Sequence, residues 1–171
     1  MYEAVKDLFG NSGMGNAFET IAHKKLILSK QSFELTPLHE KYKRGVSTSR
    51  IPFDCASRVV HLRRIEDISV LPEDCYGLPV ERNFPLVDAI VPPATLLQMT
   101  VCKEKHKGAV DRLDEIRRQL PEKNFSKHRI VFVVPPENVK SFKYQKDLGG
   151  INQFVLCPDP VVDGRKRKRK G

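Results

Sequence analysis

An acid and an amide stand inside two neighbouring apolar runs. Asp88 lies in the run from Leu86 to Val91, and Gln98 lies in the run from Thr95 to Cys102. The prolines at 92–93 cannot donate ladder hydrogen bonds, so the segment is predicted to form a hairpin of two extended strands. Polar groups in buried strands cost free energy unless they have partners. As oxygen donors on adjacent strands, Asp88 and Gln98 can also hold one divalent cation together.

These residues have structural interpretations as well. Asp88 can be a buried acid satisfied by arginine or by backbone donors. Gln98 and Thr100 share one face of their strand, where they can be satisfied by cross-strand hydrogen bonding. Cys102 is expected in the core, because nothing near it in the sequence marks it as a nucleophile. The sequence is compatible both with a metal site and with these structural roles.

An amphipathic helix is predicted on each side of the hairpin. The first spans Asn16 to Leu28 and begins with a capping residue, and Glu19 stands where a capping-box partner belongs. Glu19 is therefore either a cap residue or a member of the site. His23, one turn later, is interpreted as a surface or internally satisfied histidine. In the second helix, which follows the hairpin, Asp114 can pair with Arg118 across one turn.

Residues that favour β-structure predict further strands. Ser32–Leu35 is a short candidate, Arg58–Arg64 is a second, and Gln153–Leu156 is predicted to be a final edge strand. Arg129–Val134 is nearly continuous in strand formers, as is typical of a strand covered on both faces. The prolines and glycine of Leu71–Pro85 instead predict a loop.

The length and the charge favour one domain with a basic tail. The 171 residues, 40% of them hydrophobic, suffice for a single domain, expected at residues 1–160 with its core at about 16–134. Six of the nine net positive charges lie in Arg165–Lys170, which leaves +3 for the rest of the chain. Consecutive like charges repel one another, so residues 161–171 are predicted to form a disordered tail. Such a run serves as a nuclear-import signal, as a nucleic-acid-binding arm, or as both.

The remaining composition argues against several classes of protein. The four cysteines form no CxxC pair, and they and the five histidines lack zinc-type spacing, which favours a reduced compartment. No apolar run approaches the length of a membrane span, so no membrane partner is expected. No signal peptide is evident, so a secreted form requires a signal outside this sequence or an unconventional one.

The predicted order of elements is helix, three strands, helix and strand, in an α/β (α+β) protein with a mixed central sheet flanked by helices. This order resembles the αβββαβ core of the restriction-endonuclease-like fold, in which acids on the middle strands hold a divalent metal. In addition, VDAIVPP followed by LLQMTV and then by lysine and histidine is similar to the C-terminal domain of Crinkler-type effectors and of the related retrotransposon hot-spot proteins. The similarity is best over Asn16–Leu28 and Leu86–Val134, roughly a third to a half of the chain.

The resemblance implies a role for each candidate residue. Asp88 falls at the metal-binding aspartate of the second strand, Gln98 at the Glu or Gln of the third strand, and Glu19 at the acid of the first helix. The implied cofactor is Mg²⁺, held by Asp88 and Gln98, for phosphodiester hydrolysis of the PD-(D/E)XK type. The chain departs from the pattern at Thr100, where the family has a lysine. Lys103 is the expected substitute if the strand ends or bulges near Cys102, since its odd offset from Gln98 otherwise points it to the other face. Lys105 and Lys107 are the alternatives.

Basic side chains are expected to contact nucleic acid. They are Arg63, Arg64, Lys105, Lys107, Arg165, Lys166, Arg167, Lys168, Arg169 and Lys170. The resemblance and the tail together predict a secreted virulence effector that enters the nucleus of a host cell through the import machinery, binds DNA and hydrolyses it. The alternative is a catalytically inactive, nuclease-like module that binds DNA or protein there. A third hypothesis is a homo-oligomer formed through the predicted edge strand near residues 153–156.

Overall fold

The computed structural model describes residues 17–29, 32–40, 49–56, 58–80, 84, 87–102 and 110–159. Within these residues the protein is a mixed α/β structure built on one eight-stranded sheet. The strands are β1 (Phe33–Leu38), β2 (Ile51–Phe53), β3 (Arg58–Leu62), β4 (Cys75–Pro79), β5 (Ala89–Val91), β6 (Thr95–Met99), β7 (Arg129–Val133) and β8 (Asn152–Leu156). Helix α1 spans residues 17–28, and helix α2 spans Val110–Gln119. Short 3-10 helices lie at Ile65–Val70, Phe125–Lys127, Pro136–Asn138 and Lys146–Leu148.

The strands lie in the order β2-β1-β8-β7-β6-β5-β4-β3. Strands β4, β5 and β6 form an antiparallel meander. The chain then passes through α2 to β7, which runs parallel to β6, and β8 runs parallel to β7. Strands β1 and β2 extend the sheet antiparallel beyond β8, and β3 closes the other edge parallel to β4.

The alternation of side chains along the strands divides the hydrophobic core between the two faces of the sheet. Helix α1 covers one face, in a cluster that includes Phe18, Ala22, Leu26, Leu97, Met99 and Val131. Helix α2 covers the other face, in a cluster that includes Leu96, Leu113, Ile116, Leu120, Ile130 and Phe132.

The two predicted helices are confirmed in position. The first occupies residues 17–28, and its proposed cap Asn16 lies outside the described residues. In α2, Asp114 pairs with Arg117 at 3.3 Å, so the predicted pairing with Arg118 is wrong. Arg117 also donates to His128 Nδ1 and to the carbonyl of Phe125.

The predicted hairpin is also confirmed. Ala89 pairs with Leu97 and Val91 pairs with Thr95, so the chain reverses at the prolines 92–93, whose peptide bond is cis. The first strand is shorter than predicted and begins only at Ala89.

The predicted loop from Leu71 to Pro85 is partly wrong, because it contains β4. Gly77 lies in the middle of this strand, and a Cβ there would stand 2.8 Å from Leu71 Cδ1 and 3.2 Å from Leu62 Cδ1. Glycine at this position therefore avoids a close contact with two leucine side chains and does not mark a turn.

The last strand is not an edge strand. Strand β8 lies between β1 and β7 and is paired on both sides, so self-association through an open edge at residues 153–156 is ruled out. The strands predicted near residues 32–35 and 58–64 are present as β1 and β3. Strand β7 is buried on both faces, as its composition predicted.

In the part of the chain that the structure describes, no helix has the length and the apolar character needed to span a bilayer.

Candidate functional site

Asp88 lies at the start of the hairpin, directly before β5. Its backbone N–H donates to the carbonyl of Leu97 at 2.9 Å, and its Oδ2 accepts from the backbone N–H of Met99 at 2.6 Å. The side chain thus accepts a bond that a strand carbonyl would otherwise accept, and β5 begins at the next residue. Part of the hydrogen-bonding capacity of the carboxylate is used by the backbone.

Helix α1 contributes two polar residues to the same region. Glu19 and His23 are one turn apart, and His23 Nε2 lies 3.8 Å from Glu19 Oε1. On its other side, His23 Nδ1 forms a 2.8 Å hydrogen bond with the hydroxyl of Tyr76, a fully buried residue of β4. His23 Nε2 is buried and has no hydrogen-bond partner among the described residues. We refer to Glu19, His23, Tyr76 and Asp88 as the α1-face polar cluster.

Burial dominates the electrostatics of this cluster. Desolvation raises the pKa of Asp88 to about 7, the negative charge of Glu19 adds to the rise, and the Met99 N–H and His23 oppose it. Burial also raises the pKa of Tyr76 far above its ordinary value, with smaller contributions from neighbouring negative groups that include Asp88 and Glu19. Tyr76 is consequently a neutral phenol, and Asp88 titrates near neutrality.

Gln98 lies on the other side of the sheet. It is in register with Phe132, and in parallel strands register partners share a face. Phe132 belongs to the cluster under α2, whereas Leu97 and Met99, which flank Gln98, belong to the cluster under α1. The sheet therefore separates Gln98 from Glu19, and the three candidate oxygen donors do not converge on one face.

Strand β6 ends at Met99, and Thr100, Val101 and Cys102 follow it. Thr100 Oγ1 accepts from the backbone N–H of Cys102 at 3.1 Å, so the residue in the place of the family lysine serves a local turn. Cys102 is exposed, which corrects the expectation that it is part of the core. The carbonyl of Val101 accepts from Asn138 Nδ2 at 2.8 Å. All four cysteines are free thiols.

Arg63 and Arg64 are exposed at the end of the edge strand β3. Both of their backbone N–H groups donate to Asp67 Oδ2, at 2.8 and 3.0 Å, and these bonds lower the pKa of Asp67. The other basic candidates lie outside the described residues. They are Lys103, Lys105, Lys107, Arg165, Lys166, Arg167, Lys168, Arg169 and Lys170. The tail predicted to be disordered, residues 161–171, also lies outside the described residues.

The donors that are present do not fit the implied magnesium site. Within the described ranges, no three histidine, cysteine or acidic side chains are placed to hold a metal ion together. Mg²⁺ prefers a near-octahedral set of oxygens. Asp88 is bonded to a backbone donor, Glu19 is half-exposed, and His23 offers nitrogen.

His23 and Tyr76 are the residues of this region that the sequence did not assign to it. The spacing of Glu19 and His23 is a visible signal, because residues four apart share a helix face. Tyr76 had no such signal, since its strand is in the segment predicted as a loop.

Comparison with protein-family models, with curated proteins and with solved structures finds no match for this chain.

Proposed function

We propose that this chain is a nuclease-like module that binds DNA in the nucleus without hydrolysing it. The observation that carries the proposal is the position of Gln98, which the register of β6 and β7 puts on the α2 face while Glu19 belongs to α1. The ligand set that the resemblance implies is thereby divided by the sheet. Asp88, the remaining ligand, is bonded to Met99 N as a strand partner would be.

The topology supports a restriction-endonuclease-like core. Helix α1, the meander β4–β5–β6, helix α2 and the parallel strand β7 occur in this order along the chain, but β1, β2 and β3 lie between α1 and the meander, where the predicted order has three strands in all. The two helices lie on opposite faces of the sheet. Strands β1, β2, β3 and β8 extend this core at both edges. A shared order of elements bears on the fold, whereas the function depends on the side chains.

The basic side chains support an interaction with the DNA backbone. Arg63 and Arg64 project from a backbone that Asp67 holds in place, and their side chains are exposed at the sheet edge. The tail adds six consecutive cations. Cations that neutralise phosphates provide affinity that depends on salt and carries no base specificity.

The test is retention of duplex DNA in EDTA, measured by gel shift across a range of salt. Replacing Arg63 and Arg64 with alanine is expected to weaken binding and to reduce the slope of log affinity against log salt by roughly 2, about 0.9 for each phosphate that is no longer neutralised. Deleting residues 165–170 is expected to reduce the slope further. D88N is expected to bind as the wild type does.

The matched control is R50A with R112A, which removes the same charge from two exposed arginines elsewhere. Each of these is in a surface ion pair, Arg50 with Glu34 and Arg112 with Glu115. Such pairs contribute little to stability, so the control variant should fold. If the control weakens DNA binding as much as R63A with R64A does, the binding depends on bulk charge and the proposed role of the β3 edge is wrong.

We also propose that the tail delivers the protein to the nucleus, and, from the resemblance to secreted effectors, that this nucleus is the one of a host cell. A fluorescent fusion of the full chain should accumulate in nuclei. Replacing residues 165–170 with serine should distribute it evenly. Nuclear accumulation of the replaced form would contradict the assignment.

Metal-dependent hydrolysis is the second candidate, and one observation favours it. The charge of Glu19 acts on Asp88, and two carboxylates in a partly buried place repel each other, which a cation would relieve. Plasmid nicking in Mg²⁺ or Mn²⁺ decides between the candidates. Nicking that disappears in D88N would overturn the non-hydrolytic proposal, and an intact plasmid supports it.

A further inference from the structure

A solvent-exposed aromatic ring lies on the loop between α2 and β7. Phe125 begins the short helix Phe125–Lys127, and 41% of its surface is exposed. Lys123 and Lys127, two residues to either side, are exposed as well. An exposed ring with cations on both sides is the arrangement that single-stranded nucleic-acid-binding surfaces use.

The ring is supported from below. The guanidinium carbon of Arg117 lies 4.7 Å from the ring centroid of Phe125, and the ring of His128 lies 4.9 Å away with a tilt of 30°. Arg117 Nε donates to His128 Nδ1 at 3.5 Å, so the two groups are neighbours. Groups this close to each other cannot lie on opposite faces of one ring. Both therefore cover the same face of Phe125, and we infer that the exposed 41% of the residue includes the opposite face of the ring.

Hydrogen bonds from α2, from the loop itself and from β8 hold the loop around the ring. Arg117 Nη2 donates to the carbonyl of Phe125 at 3.1 Å, and His128 Nε2 donates to the carbonyl of Glu122 at 2.6 Å. From β8, Asn152 Nδ2 donates to the carbonyl of Ser126 at 2.7 Å. Arg117 and His128 are buried, so the support is part of the core. A ring fixed in advance loses little conformational entropy when a ligand stacks on it.

We propose that Phe125 is a stacking platform for an unpaired base of single-stranded nucleic acid, whose flanking phosphates contact Lys123 and Lys127. A base fits better than an apolar protein surface because two lysines lie beside the ring in the sequence. Lys123 Nζ also donates to the carbonyl of Leu120 at 2.9 Å, and Lys127 Nζ is paired with Glu122. Every base has a π-face, so the site is tolerant of sequence. In a duplex both faces of each base are stacked on neighbours, so the platform selects single strands.

The platform is separate from the α1-face polar cluster and needs no metal. The helix at 125–127 precedes Arg129, which is in register with Thr95, whereas Asp88 is bonded to Met99, which is in register with Val133. The two regions therefore lie at opposite ends of β6 and β7. Arg63 and Arg64 directly follow β3, which is at the far edge of the sheet, so the proposed duplex contacts can fail without affecting the platform.

The experiment measures fluorescence anisotropy of a labelled oligothymidylate of about 12 nucleotides, with the full chain in EDTA, at a salt concentration that weakens the tail. F125A and F125L are expected to bind about tenfold more weakly or worse. F125Y keeps a π-face and is expected to bind within about twofold of the wild type. A labelled duplex of the same length should be bound equally by all four proteins.

Glu122 gives a second test that leaves the ring untouched. Its Oε2 lies 3.0 Å from Lys127 Nζ, so E122Q releases that cation and removes a charge that repels phosphate, while the amide oxygen can still accept from the backbone N–H of Asn124. E122Q is expected to bind the single strand about twofold or more tightly. L28A, which shortens an exposed apolar residue of α1, is the control and should bind as the wild type does.

The proposal is overturned if F125L binds oligothymidylate as tightly as the wild type does. It is also overturned if F125A weakens duplex and single-strand binding equally, because the residue would then support the fold rather than stack on a base. If F125A fails to fold, F125Y and E122Q decide: a tenfold loss in F125Y together with no gain in E122Q contradicts the platform. Loss of duplex binding in R63A with R64A, without loss of single-strand binding, would not contradict the platform.

Discussion

Asp88 Oδ2 and the backbone N–H of Met99 are joined by a 2.6 Å hydrogen bond across the mouth of the central hairpin. A side chain thereby completes the ladder of β6 where the partner strand has not yet begun. The same carboxylate lies near Glu19 and His23, whose charges act on its pKa in opposite directions. Asp88 thus connects the backbone of the sheet to the polar residues of α1.

The stability of the protein is expected to decrease as pH rises toward neutrality because of Asp88. Burial raises its pKa from 3.8 to about 7, so between these values the folded state holds a proton that the unfolded state has released. The free energy of unfolding therefore falls as pH rises through this range and levels off above it. Relative to D88N, which cannot titrate, the wild type should lose on the order of 1–3 kcal/mol between pH 5 and pH 8 in urea unfolding.

The control for this prediction is E73Q, a change at an exposed acid. E73Q keeps Asp88, so the pH dependence that belongs to Asp88 should appear in it as it does in the wild type. A wild type and a D88N protein with parallel pH profiles would show that Asp88 is ionised in the folded state throughout this range.

Removing the hydroxyl of Tyr76 is expected to destabilise the protein. In Y76F, His23 Nδ1 loses its 2.8 Å partner in a buried place, and an unsatisfied buried polar atom costs about 1–3 kcal/mol. Urea unfolding measures the loss. Y144F changes a half-buried tyrosine elsewhere and should stay within about 0.5 kcal/mol of the wild type. Equal effects of the two changes would mean that the bond between Tyr76 and His23 contributes nothing.

Arg117 and Arg118 are adjacent on α2, and they should respond differently to the same change. R117K removes the bonds from a planar guanidinium to His128 Nδ1 and to the carbonyl of Phe125, and is expected to cost about 1–3 kcal/mol. R118K alters an exposed side chain and should be nearly neutral. Thermal unfolding of the two variants compares them directly, and a stable R117K would argue that the support beneath Phe125 is dispensable.

Gly77 is expected to reject a methyl group. In G77A the new Cβ would lie 2.8 Å from Leu71 Cδ1, so the leucine must shift within a filled core, at a cost of about 1–3 kcal/mol. If that contact is the cause, the change should cost less in an L71A background. A double-mutant cycle measures the coupling, and additive effects would place the strain elsewhere.

Local pattern predicted much of the fold because each element carries its own signal. Phe18, Ala22 and Leu26 recur at helical spacing and are buried under α1 as that spacing requires. The prolines at 92–93 lie between two apolar runs, and the hairpin turns there. Strand β4 escaped the same reasoning, because a glycine and a proline within five residues are typical of a loop unless tertiary packing requires them.

The candidate site was predictable only in part. Asp88 stands out in the sequence because it is a polar residue in an apolar run, and Glu19 because of its place on a helix. Asp88 and Glu19 are far apart in the chain, and so are His23 and Tyr76, which are bonded to each other across 53 positions. No local pattern contains such a pairing, because it depends on how α1 is set against the sheet.

The sequence by itself determined where the helices and the central hairpin form and that the charge is concentrated in the tail, since these depend on neighbouring residues. Only the tertiary structure decided that Gln98 faces α2 and that β8 is an inner strand. It alone placed Phe125 over Arg117 and His128. The face of a strand residue and the neighbours of a strand are set by register with distant segments, and the burial of the whole core selects that register.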